Sequence, residues 1–432
     1  MADSIDNPAT STGPGTGSIK IFNIPKKLSG SISLPSSKSI SNRLLIIRAF
    51  SEQDFLIENL SDADDTRILM SLLQKINHHL SSGLHEQSLT LDCGNAGTAY
   101  RFLLPYLANL PGAWILKGSD RMKERPVKPL VDALFQLDAS IEYLDKEGFP
   151  PIKIQGKTLE GGTVSLDSAA SSQFTSALLM LGAFLSEGLT INITGKTVSQ
   201  PYVKMTARLL AEFGIRSRVQ RDKIQVEPSS FIPKTLSVEP DWSAASYWFE
   251  WVCLAEESEI LLKGLHFTGL QGDESVAGLF FRLGVICEDS SEGLLLRKGS
   301  WHKEPFTFDF THNPDLAMTM AGTLAGLEIP GSLNGLKNLI IKESNRLEAL
   351  WQELSKMGCE VRITDDSLSI TASRLQKPSE ACFTYADHRM ALSLAPLAAV
   401  LGEISLCDPD VVSKSYPAYW DDLRSLGIMT EF

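Results

Sequence analysis

The 432-residue sequence has no apolar run long enough to span a membrane without an interrupting charge or helix breaker. Its opening stretch, MADSIDNPATSTGPGTG, is polar and rich in Gly, Pro, Ser and Thr, so residues 1–17 read as a disordered tail and not a signal peptide. The six cysteines are widely separated and form no CxxC pair, which removes a disulfide framework and leaves reduced thiols in a cytoplasmic protein. Cys93, beside a glycine turn, keeps a reactive role open. Seven histidines show no ligand spacing, so no metal is expected. No glycine-rich dinucleotide fingerprint follows a strand and no GxxxxGK[ST] loop occurs, which excludes nicotinamide and P-loop nucleotide chemistry; no cofactor is implied. Positive charge is also short. A formal net charge of −12 argues against a general nucleic-acid binder and makes any basic site a local concentration on an acidic surface.

Such a concentration stands at Leu34 to Phe50, LPSSKSISNRLLIIRAF. Ile40, Leu44 and Ile47 recur at helical spacing behind a cluster of serines, so a helix should begin between Ser37 and Ile40. Its unpaired first N–H groups, the positive end of its dipole and the Lys38 ammonium would converge on an anion, with Ser39 and Arg43 on one face.

The same pattern, a small polar turn and then an apolar helix, returns five times. The helices expected are Ala99–Ala108, Phe174–Phe184, Ala244–Leu254, Leu316–Leu324 and Met390–Val400. With Lys38, Gly97, Ser172, Ser243, Asp315 and His388 as markers, the intervals are 59, 75, 71, 72 and 73 residues. Most units continue with a second helix stopped by glycine, at Gly214, Gly284, Gly358 and Gly427, and then a hairpin such as 217–226 or 360–371. Each unit reads strand, helix, strand, helix, hairpin. Six units in a chain of this size make two domains of three, joined near Glu239-Pro-Asp241. The pattern does not assign the first strand, Ile19–Leu34, to either half.

The turns carry chemistry. The first half supplies Lys38, Ser39, Arg43, Asn95, Thr98, Arg101, Arg121, Arg125, Ser171, Ser172 and Gln173. The second supplies Asp315, Lys342, Glu343, Arg346, Asp387, His388, Arg389 and Lys414. Singly, each has an ordinary reading: Asp315 and Asp387 as helix caps, Glu343 and Arg346 as an i,i+3 pair. Their recurrence at equivalent turns favours a cleft built for substrates rich in phosphate and carboxylate, with a few carboxylates inside it.

The motifs SSKSISNR, GNAGTAYR, RMKERP, SSQFTSALLM, DWSAASY, NPDLAMT, KESNRL, YADHRMA and KSYP, in this order from Lys20 onward, resemble those of the 5-enolpyruvylshikimate-3-phosphate (EPSP) synthase family. The resemblance implies an α/β fold of two domains forming an inside-out α/β barrel, each domain of three βαβαββ units, with the site between them. It implies one domain of 18–36 plus 240–432, another of 37–239, and a cytoplasmic monomer. The implied reaction joins shikimate 3-phosphate to phosphoenolpyruvate by addition and elimination through a tetrahedral intermediate, in the route to chorismate.

By the same resemblance, Ser171, Ser172, Ser199, Asn338 and Lys342 meet the shikimate 3-phosphate group, Ser39 and Arg43 its carboxylate, and Gln173 its ring. Lys38, Gly97, Arg125, Gln173, Arg346, Arg389 and Lys414 hold phosphoenolpyruvate. Asp315 is the implied base at the 5-hydroxyl and Glu343 the acid at the methylene, with Lys38 and Lys342 completing the catalytic set. Ser36, Tyr100, Phe102, Thr311, Ser344 and Asn345 depart from the family pattern. Phe102 replaces a proline near Gly97, so altered sensitivity to glyphosate, the family's phosphoenolpyruvate-site inhibitor, is expected. Two alternatives are a UDP-N-acetylglucosamine enolpyruvyl transferase and a non-catalytic anion-binding relative. SKSISNR, the SSQ turn and the missing cysteine loop near Arg121 oppose the first; Asp315 and Glu343 together oppose the second.

Overall fold

In the computed structural model, which describes residues 17–51, 53–82, 87–168, 171–195 and 198–432, two hydrophobic cores form separately. One gathers apolar residues from Ile40 to Val238, the other those from Ile19 to Leu34 together with Trp242 to Ile428. Apart from Gly17, the polar stretch 1–17 lies outside the described residues. Among the described residues no helix is long and apolar enough to cross a membrane.

Three helices pack against one another inside each core: Lys38–Ser51, Gly97–Asn109 and Ser172–Gly182 in the first, Trp242–Leu254, Leu316–Gly326 and His388–Leu394 in the second. They are covered nearly all round, so that even the polar Ser41, Asn42 and Arg43 of the first are buried. Among the residues that escape burial, Thr98, Gln173 and Ser243 each lie in a helix's first turn. The last helix is shorter than its apolar pattern predicts. Pro396 lacks a backbone N–H, and the chain passes into the tighter turns Ala395–Leu397 and Ala398–Leu401.

Sheets lie outside the helices. Four have four strands in one order: a parallel pair, then an antiparallel hairpin added to the second strand, as in Leu89–Asp92, Gly112–Lys117, Ile152–Gly156 and Ser140–Tyr143. The predicted glycine stops appear as left-handed residues, with φ of +81° at Gly214 and +86° at Gly284.

The inside-out α/β barrel expected from the sequence is not found. Among the described residues the strands fall into six separate sheets, and none closes on itself. A barrel needs every strand hydrogen-bonded on both sides. Here each sheet ends in edge strands such as Leu89–Asp92 and Ser140–Tyr143, and helix side chains fill the space between sheets. What stands is a mixed α/β architecture with two cores and threefold repetition of a βαβαββ-like unit.

Two of the sheets are exchanged or depleted at the places where the chain crosses between cores. The predicted N-terminal strand is split by Asn23, at φ +53°, and Pro25 into Ser18–Phe22 and Lys27–Ile32. Ser18–Phe22 lies between Glu403–Cys407 and Met429–Glu431, while Lys27–Ile32 pairs parallel with Glu257–Lys263. In return, Leu236–Ser237 pairs parallel with Ile57–Glu58 of the first half. The two crossing segments bind each other: Ser37 N–H donates to Glu239 O at 2.9 Å, and Asp241 N–H to Pro35 O at 2.9 Å. Gln271 braces the pair, donating to Glu239 and Pro240 O while accepting from the Ser37 hydroxyl and the Trp242 N–H.

Candidate active site

Five of the six apolar helices begin at one cleft between the cores. Lys38 and Ser39, Thr98, Ser171 to Gln173, Asp315, and His388 with Arg389 all line it. The sixth helix start lies just behind, its Ser243 hydroxyl 3.4 Å from an Arg389 nitrogen. Seven basic side chains face the cleft against three acidic ones, Asp65, Asp315 and Glu343. The excess of positive charge is what a multiply anionic ligand requires.

Of the residues implied from sequence, Lys38, Ser39, Arg43, Arg125, Ser171, Ser172, Gln173, Ser199, Asp315, Asn338, Lys342, Glu343, Arg346 and Arg389 line this cleft. Gly97 and Lys414 do not, but both touch its walls. A Cβ on Gly97 would stand 2.6 Å from a guanidinium nitrogen of Arg125, so only glycine lets that cation lie against the helix start. Lys414 donates to Asn95 O at 2.8 Å, and its ammonium is 3.6 Å from Glu343.

Arg346 organises the acidic side. Buried at the start of helix Arg346–Lys356, it reaches Asp315 at 2.8 Å, Glu343 at 2.9 Å and Asp387 at 2.8 Å. Burial alone would raise the Asp315 carboxyl, but Arg389, Lys342 and Arg346 outweigh it and hold the group well below the carboxylate range. Glu343 is buried too, yet Lys414, Arg125 and Arg346 likewise hold it ionised. Burial lowers the Lys342 ammonium, with Arg346 adding to the effect, and Asp315 and Glu343 oppose it only in part. His388, buried beside Lys38 and Arg389, is pushed well below its ordinary value and stays neutral at pH 7.

The Arg43 side of the cleft is organised differently. Arg43 is buried, and burial brings its pKa down to about 10; it donates to Thr206 at 2.7 Å, Ser39 O at 2.8 Å and Ser176 at 3.2 Å. Arg101, brought down to about 9 by burial and Arg125, donates to Gln173 at 2.6 Å, and Gln173 in turn to Thr98 at 2.9 Å. Among the described residues neither guanidinium has a carboxylate within ion-pair distance. Their charge is held by neutral acceptors and is left for a ligand. Ser199 sits at φ +51°, its N–H bonded to Thr311 O of the other half.

Arg121, one of the basic candidates, does not line the cleft. It braces the wall, donating to the carbonyls of Lys342 and Glu343 at 2.9 and 3.1 Å. Asp65 was missed: its carboxylate lies 3.4 Å from Lys38 and 3.9 Å from Lys414, between two cations. In sequence it reads as an ordinary acid in the first turn of helix Asp64–Ser81. Tyr202, also on the cleft, was missed because a tyrosine at the start of a helix reads as packing. Burial raises the Cys93 thiol far above its ordinary value, which removes the reactive role left open for it.

Residues 22–423 match the family model described as EPSP synthase (3-phosphoshikimate 1-carboxyvinyltransferase). A 3-phosphoshikimate 1-carboxyvinyltransferase of Bacteroides fragilis is 42% identical over 410 residues, covering 94% of this chain and 97% of the relative. One from Vibrio cholerae is 36% identical over 418 residues, covering 93% and 97%. The solved EPSP synthase of Acinetobacter baumannii superposes with a TM-score of 0.76 at 19% identity, covering 96% of this chain and 99% of that one. The enolpyruvyl transferase NikO of Streptomyces tendae gives 0.72 at 16% identity, covering 96% and 98%. At such identities the solved structures speak to the fold alone.

Proposed function

The chain belongs to the EPSP synthase (3-phosphoshikimate 1-carboxyvinyltransferase) family, and on that premise we propose that it moves the enolpyruvyl group of phosphoenolpyruvate to the 5-hydroxyl of shikimate 3-phosphate. Inorganic phosphate leaves, and the product feeds chorismate and aromatic amino acid synthesis. One observation carries the mechanism: in a cleft with an excess of positive charge, Arg346 spans the two carboxylates Asp315 and Glu343.

Glu343 delivers a proton to the methylene carbon, C2 becomes cation-like, and the 5-hydroxyl oxygen bonds to it as Asp315 takes the hydroxyl proton. In the second step Glu343 removes a proton from the new methyl group, the double bond re-forms and the C2–O bond to phosphate breaks. Lys38 and Lys342 stabilise charge on the reacting groups, and Lys38, Gly97, Arg125, Gln173, Arg346, Arg389 and Lys414 hold phosphoenolpyruvate. Ser39 and Arg43 take the shikimate carboxylate, Ser171, Ser172, Ser199, Asn338 and Lys342 the phosphate, and Gln173 the ring. The surrounding cations keep both carboxylates ionised. Bound anions draw Arg125, Arg346, Arg389 and Lys414 onto themselves, so Glu343 rises toward a value at which it can carry the proton.

The two cores support a division into 18–36 plus 240–432 and 37–239, with the site between them. A cleft lined by one chain supports action as a monomer, and six cysteines without disulfides support a cytoplasmic setting. The test is phosphate release in the presence of both substrates, with the enolpyruvyl ether identified by mass. Release that needs both is expected; none at any substrate concentration overturns the proposal.

A further inference from the structure

Arg346 and Arg389 are held by one turn. Asp387, fully buried, accepts from two Arg346 nitrogens at 2.8 and 3.1 Å, from the Arg389 N–H at 3.0 Å and from the Ser344 hydroxyl at 3.0 Å. Arg389 runs on to Asp315 at 2.9 Å and Tyr247 at 3.1 Å. The geometry of both guanidinium groups therefore depends on where Asp387 sits.

The two residues before Asp387 are in an unfavourable conformation. Tyr385 and Ala386 are both left-handed, at φ +56° and +51°. Neither is glycine or asparagine, and each such residue costs about 1 kcal/mol or more. Something outside the turn must offset this. The Tyr385 hydroxyl lies 2.6 Å from a carboxylate oxygen of Glu353 and 2.6 Å from the Gln352 side-chain oxygen. Glu353 is itself fully buried, accepting from Lys356 at 2.9 Å and from the Phe383 N–H at 3.2 Å. It stands two helical turns after Arg346 on the same helix. One helix thus carries both a cleft arginine and the anchor of the turn that orients it.

We propose that Tyr385 and Glu353 are positioning residues for phosphoenolpyruvate binding: their hydrogen bond holds the left-handed turn that places Asp387, and through it Arg346 and Arg389. The assignment of those arginines to phosphoenolpyruvate rests on the function proposed above. Neither Glu353 nor Tyr385 lines the cleft. They act through the turn.

The test is Tyr385→Phe, alone and combined with Ala386→Gly. Ala386 is exposed, so glycine there loses no packing while removing the left-handed cost. Tyr385→Phe should raise the KM for phosphoenolpyruvate about tenfold, the scale of one hydrogen bond to a charged group, with the KM for shikimate 3-phosphate within about twofold. The double variant should recover most of that loss, and Glu353→Gln should behave as an intermediate case. Hydrogen exchange at the amides of 386–389 should quicken in Tyr385→Phe and slow again in the double variant. Both KM values moving together, no rescue by Ala386→Gly, or unchanged exchange each overturns the anchor. Absence of wild-type turnover would instead overturn the proposed function, and the exchange data would then decide the anchor alone.

Discussion

The carboxylate of Asp241 caps two helices at once: one oxygen accepts the Ala244 N–H at 3.0 Å within its own half, and the other accepts the Lys38 N–H at 3.2 Å from the opposite half. Lys38 is both the start of its helix and a cation of the cleft, so one residue at the chain crossing fixes a fold contact and a site contact together.

Removing that carboxylate should therefore cost two caps. Asp241→Ala is expected to lower the free energy of unfolding by about 2 kcal/mol, and Asp241→Asn, with one acceptor oxygen, by about half as much. Chemical denaturation measures both. Equal stability of all three proteins would mean that the caps are replaced by water at no cost.

In the proposed mechanism, Glu343 is the group that carries the proton. Glu343→Gln keeps the shape and the contact with Arg346 but cannot donate or take the proton, so turnover should fall by a factor of about a hundred or more while substrate still binds. Steady-state kinetics with isothermal titration of shikimate 3-phosphate separates the two effects. Near-normal turnover would remove Glu343 from the mechanism.

Phe102 is the position at which a change in inhibitor sensitivity is expected. It is fully buried in helix Gly97–Asn109, and the Arg43 guanidinium lies 5.3 Å above its ring. A proline there would remove both the ring and a backbone N–H close to Gly97. Altered sensitivity to glyphosate is expected, with Phe102→Pro moving inhibition toward that of proline-bearing family members. Competition with phosphoenolpyruvate in the phosphate-release assay gives the inhibition constants; identical values before and after the substitution would sever the link.

What could be read from sequence was local. The helix starting at Lys38 and the hairpins at 217–226 and 360–371 appear where periodicity and glycine stops put them, because those signals lie within a few residues of the structure they specify. The strand exchange was not legible. Leu236–Ser237 is two residues long and pairs with a partner some 180 positions away, and no local pattern encodes such a pairing. Barrel closure failed as an expectation for a related reason, since it depends on hydrogen bonds between sheets. In the cleft, Arg346 and Asp315 stood out because basic and acidic residues recurred at helix starts. Asp65 and the Tyr385 turn did not, since an acid in a helix's first turn is commonplace and a left-handed alanine leaves no mark in sequence.

The last prediction concerns a carboxyl outside the cleft. Glu250 is fully buried in helix Trp242–Leu254, and among the described residues neither of its oxygens has a well-formed hydrogen bond. Burial pushes its carboxyl well above the ordinary value, the nearby Thr323 hydroxyl opposing only in part. It is therefore protonated in the folded protein at pH values where the unfolded chain has already lost the proton. Below the unfolded value of about 4.5 both states are protonated, and Glu250 has no influence on the pH dependence of stability. Above it the folded state binds more protons, so stability falls as pH rises, by up to about 1.4 kcal/mol per pH unit, until the folded carboxyl also ionises. Glu250→Gln abolishes that slope with nearly unchanged shape. The variant should match wild type near pH 4 and become progressively the more stable of the two toward pH 8, as measured by urea unfolding across that range; a difference that stays constant with pH would show that Glu250 ionises equally in both states.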